Sequence, residues 1–162
     1  MDDLSDANKA IIRSNIWDTL RPTTRGLCIE VRYADEVYEL ASGWYHIGEE
    51  MRGFFPVIDF IKIVDKAEGV KDLDDVIAVS MKTLDPRLYK LPDGSVNNKK
   101  IVDTLEKYLD KLLNTYMTIN DMNIKIRKLD LVVPNGYKGF MEELIEKNLT
   151  HKEITAIIVK EI

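Results

Sequence analysis

Cysteine, histidine and ordered glycine motifs are what this chain of 162 residues has least of. Cys28 is the only cysteine, so no disulfide can close within the chain and no thiolate cage can hold zinc. A reducing, intracellular (cytoplasmic) setting is the expectation. Only His46 and His151 offer an imidazole. None of the eight glycines stands in Gly-x-x-x-x-Gly-Lys or Gly-x-Gly-x-x-Gly order, and no serine sits in a Gly-x-Ser-x-Gly turn. Phosphate loops of those kinds and a nucleophile elbow are excluded. Long hydrophobic runs are missing as well. The most apolar region, Phe54 to Val64, holds Pro56, Asp59 and Lys62 and falls short of the roughly 20 residues a membrane span needs. The N-terminal Met1-Asp2-Asp3-Leu4-Ser5-Asp6 is acidic and does not read as a signal peptide. No membrane contact is expected.

What is present fits one globular domain over residues 1–162, with 45% hydrophobic and 31% charged residues. The net charge of −5 is uneven: residues 1–96 carry 12 Lys+Arg against 18 Asp+Glu, and residues 97–162 carry 11 against 10. A polyanion met by the whole surface is disfavoured, whereas a local basic strip in the second half stays open.

Apolar periodicity points to helices. Tyr33, Val37, Leu40, Trp44, Ile47, Met51, Phe54 and Ile58 recur at steps of three and four, which predicts an interrupted helix from Thr24 to Arg52 and a second one from Pro56 to Ala67. A short helix starting at Asp72 carries Leu73, Ile77, Met81 and Leu84. Ser95 opens another, with Ile101, Leu105, Tyr108 and Leu112 on one face. Pro92-Asp93-Gly94 and Pro134-Asn135-Gly136 read as turns. Tyr137–Lys147 and a last segment capped by Thr150-His151-Lys152-Glu153 form a C-terminal helical hairpin, with Ile157 and Ile158 continuing its apolar face. The expected fold is a mainly α, all-alpha helical bundle with two longer amphipathic helices. The alternative is α+β, with a small sheet from 27–34 and 122–133, where apolar and polar residues alternate with a slip at Arg127-Lys128.

No catalytic residue is assigned and no cofactor is expected. Trp44, Tyr45, Phe54 and Phe55 crowd a glycine-containing stretch and suit either a core or a partner-binding anchor. Lys99, Lys100, Lys125, Arg127 and Lys128 form the basic strip, whose functional reading is phosphate contact and whose plainer reading is a solvated face. Glu39, His46 and Glu50 would share one face of a helix and could meet a metal ion, but one imidazole is a thin donor set. The expected function is a non-enzymatic protein–protein interaction module (an adaptor, inhibitor or assembly subunit), with another protein or itself as partner in a possible homo-oligomer. The alternatives are a nucleic-acid-associated protein using the strip and a small metal-dependent enzyme using the His46 stripe.

Overall fold

The computed structural model describes residues 16–47, 57–64, 75–114, 118–119 and 122–162. After a short helical stretch at 16–19 come helix α1 (Pro22–Glu36) and strands β1 (Trp44–His46), β2 (Phe60–Val64) and β3 (Asp75–Thr83). Helix α2 (Asn98–Leu113) leads to β4 (Thr118–Ile119) and β5 (Met122–Val133). Helices α3 (Lys138–Asn148) and α4 (His151–Ala156) then lead to β6 (Ile157–Glu161).

The strands make one mixed sheet in the order β1-β2-β3-β5-β4, with β6 also on β5. β1, β2 and β3 pair antiparallel, whereas β3, β5 and β6 run parallel. Parallel neighbours need long crossovers, and α2 and then α3–α4 supply the two. α1 covers one face: Ile29 and Tyr33 meet Phe60, Val79, Met81 and Val132. On the other face Ile101, Leu105 and Leu109 of α2, with Met141 and Ile145 of α3, meet Leu129, Leu131 and Val133.

The mainly α bundle is therefore wrong: the fold is α+β. The helix expected from Thr24 to Arg52 stops at Glu36 and is followed by β1; Pro56–Ala67 holds β2 instead of a helix; the helix from Asp72 is β3; Ile157 and Ile158 belong to β6. The α+β alternative misplaced one element, since 27–34 is helical, and was right about 122–133, which is β5. The bulge lies at Lys125, because the register with β3 passes from Val76↔Ile124 to Ile77↔Ile126. The reason for the errors is physical. Val76, Ala78, Val79, Ser80 and Met81 are all buried, so a strand covered on both faces shows a continuous apolar run rather than alternation. Any such run contains steps of three and four. Density in β-branched residues (Val76, Ile77, Val79, Thr83) was the better guide.

Most locally encoded features match. α2 opens two residues later than Ser95, which instead bonds Asp93 in the preceding turn: Asn97 is the cap, accepting the Lys100 N–H at 3.1 Å. The capping box at Thr150 and Glu153 opens α4 as expected. Gly94 and Gly136 take positive φ of 86° and 93° at the two expected turns. No helix among the described residues is long and apolar enough to cross a membrane.

Candidate active site

The β2–β3 ladder runs from Val64↔Asp75 to Phe60↔Val79 and ends there. Asp59 sits one residue beyond this end. Its N–H donates to the Val79 carbonyl at 2.9 Å, and its carboxylate accepts the Met81 N–H at 2.6 Å. A side chain thus takes over the donor that a longer β2 would have satisfied. Where β2 peels away, a cleft of about 420 Å³ opens, lined by Glu30 of α1, Asp59, Met81, Lys82 and Thr83 of β3, and Tyr108 of α2. The Lys82 ammonium lies 5.7 Å from the centre of the Tyr108 ring, a cation–π distance. Glu30 is held by His46, whose Nε2 is 2.5 Å from Glu30 Oε1, and the His46 ring stacks on Phe60 at 4.8 Å.

These charges feel one another. Burial, the largest cause, pushes Asp59 up to about 6, and the negative charge of Glu30 adds to the rise. The Met81 N–H and the positive charges of Lys82 and His46 pull the other way. A carboxyl with a displaced pKa in a cleft beside a lysine and a second carboxylate is the pattern of a working site. Among the described residues no three His, Cys, Asp or Glu side chains group into a ready metal cage. Asp59 and Glu30 suit a hard cation that takes one or two carboxylates and fills its shell with water and substrate oxygens, as Mg²⁺ does.

The residues singled out from sequence are spread over the molecule. His46 lies on β1 and faces Glu30, not Glu39, which precedes a 3-10 turn and is exposed. The helical stripe joining the two does not form, and Glu50 lies outside the described residues. Trp44 is half-buried, edge-on to Tyr38 at 4.7 Å, while Tyr45 is exposed. Phe54 and Phe55 lie outside the described residues. Lys99 and Lys100 occupy the first turn of α2, with Lys100 over the Tyr89 ring. Lys125, Arg127 and Lys128 gather near its other end, where Arg127 Nη1 donates to the Leu112 carbonyl at 2.9 Å. A 16-residue helix is about 24 Å long, so the basic strip is two clusters. Cys28 is exposed.

Glu30, Asp59 and Lys82 were not singled out. The available signal was Asp59, a carboxylate set in the most apolar stretch of the sequence. In the sequence it reads only as a charge that argues against a membrane span. Set against family models, curated proteins and solved structures, the chain matches none of them.

Proposed function

We propose that this chain is a divalent-cation-dependent hydrolase of phosphodiesters, with nucleic acid as its substrate. The observation that carries the reading is the convergence of Glu30, Asp59 and Lys82 on one cleft at the frayed end of the β2–β3 ladder. Asp59 and Glu30 would hold the cation, which when bound would supply Lewis-acid polarisation of a phosphoryl oxygen and acidification of a water. Lys82 neutralises charge that develops on the phosphoryl oxygens, or orients the attacking water. Water oxygen bonds to phosphorus as the water's proton passes to solvent, the ester P–O bond breaks, and the departing alkoxide takes up a proton from solvent. His46 positions Glu30 without touching substrate.

Purified protein incubated with DNA and RNA in Mg²⁺ or Mn²⁺ tests this. Cleavage should require the metal, stop in EDTA, and fall by about 10²-fold or more in Asp59→Asn and in Lys82→Ala, the loss typical of one group aimed at developing charge. Cleavage that persists in Asp59→Asn, or no cleavage of either polymer with either metal, would remove the reading.

A second reading, a protein–protein interaction module, rests on the exposed apolar side chains Leu27 and Val31 of α1, Leu40 and Tyr45, at 51, 51, 70 and 42% exposure. Its partner would be another chain or a second copy. Sedimentation at rising concentration, with Val31→Glu as the disrupting variant, tests the self-association form.

A further inference from the structure

On its outer edge β5 is paired by β4 at Met122 and Asn123 and by β6 from Leu129 onward. Residues 124–128 therefore form a notch in the sheet between two neighbours, and the Lys125 bulge lies within it. α4 supplies the opposite wall. The groove so formed measures about 760 Å³ and is lined by Lys125, Ile126, Arg127, Lys128, His151 and Lys152, among others. No described residue that lines it is acidic.

We propose that this notch anchors the phosphate backbone of a nucleic-acid strand whose scissile bond lies in the Glu30–Asp59–Lys82 cleft; the inference rests on the function proposed above. A chain of net charge −5 does not attract a polyanion as a whole, so the contacts must be local. Four permanent cations and a histidine on two facing elements provide them. Arg127 is pinned there by its bond to the Leu112 carbonyl. Ile126, 43% exposed, offers an apolar floor for a sugar or base face. The two sites share a helix: Tyr108 of α2 lines the cleft and Leu113 lines the notch. Those residues lie about 7.5 Å apart along the axis, and the adjacent strands β3 and β5 about 4.8 Å apart. An acidic peptide fits less well. The gap is no longer than the commonest strand, and an added segment would run into β4 and β6 at its ends.

The experiment is fluorescence anisotropy of a short fluorescein-labelled DNA duplex with the full chain, in EDTA so that no cation in the cleft contributes, across a salt series. The double variant Lys125→Glu/Lys152→Glu, at two exposed positions, should weaken binding by roughly tenfold or more. It should lower the slope of log affinity against log salt by about 2, at about 0.9 per phosphate contact. Lys99→Glu/Lys100→Glu makes the same charge change at the other end of α2 and should have a much smaller effect. The Lys→Gln pair at 125 and 152 should give an intermediate loss, with an unchanged circular dichroism spectrum. Equal losses in the two Glu pairs, no loss in the notch pair, or displacement of the duplex by polyglutamate at equal charge would each overturn the proposal. Normal duplex affinity in the notch variant, with cleavage lost in Asp59→Asn, removes the notch alone. Weakened affinity in the notch variant, with cleavage intact in Asp59→Asn, removes the cleft alone.

Discussion

Asp59 holds a proton more tightly in the folded chain than out of it, and the consequence is measurable. Its folded pKa of about 6 stands above the ordinary 3.8. Stability from the protonated form is fully present below about pH 4 and is lost as pH rises through 6. At neutral pH the partly buried carboxylate costs up to about 3 kcal/mol, by about 1.4 kcal/mol per pKa unit. Asparagine carries no charge and its side-chain oxygen can still accept the Met81 N–H. Asp59→Asn should therefore melt higher than the parent chain at pH 8, with the gap closing toward pH 4; equal melting temperatures at pH 8 would show that the carboxylate carries no such cost. A carboxylate that costs the fold stability is consistent with the metal-holding role proposed above for Asp59.

At the scale of elements, α4 is the least self-sufficient. It has only six residues, yet it walls the notch with His151 and Lys152 and delivers the chain to β6. Its start is reinforced reciprocally: Thr150 Oγ1 accepts the Glu153 N–H at 3.3 Å, and Glu153 Oε1 accepts the Thr150 hydroxyl at 2.7 Å. Thr150→Ala should cost about 1 kcal/mol in urea unfolding, while Thr150→Ser should cost far less. Equal losses in the two variants would mean that the methyl group matters, not the cap.

Across the whole molecule, distant segments meet at Asp130. This β5 carboxylate is fully buried; one oxygen takes the Lys160 ammonium of β6 at 3.0 Å and the hydroxyl of Tyr38, which follows α1. The Lys160 ammonium also lies 5.0 Å from the Tyr33 ring and 5.1 Å from the Tyr38 ring. Burial, together with the negative Asp130, pushes the Tyr38 hydroxyl far up, so it stays protonated and donates. Beside this cluster Trp17 Nε1 donates to the Ile162 carbonyl at 3.0 Å, joining segments 145 positions apart. Lys160→Ala leaves a buried charge without its counter-ion and should cost about 3 kcal/mol or more, read from thermal or urea unfolding. A loss below about 1 kcal/mol would mark the pair as a surface-like bridge.

The amino-acid sequence alone determined whatever is settled within one or two turns of chain. The amphipathic face of α2, the helix around Phe140 and Leu144, the Thr150 cap and the turns at Gly94 and Gly136 were all legible, because each rests on contacts a few residues apart. The sheet was decided in three dimensions. β3 is buried on both sides and so shows no period of two, and Ile157 becomes strand only because β5 presents an open edge beside it. The cleft was illegible for the same reason. Glu30 on α1, Asp59 just before β2 and Lys82 on β3 are spread over more than fifty positions, and no spacing rule links them. Only antiparallel pairing of β2 with β3, and the seating of α1 across them, brings two carboxylates and an ammonium to one opening.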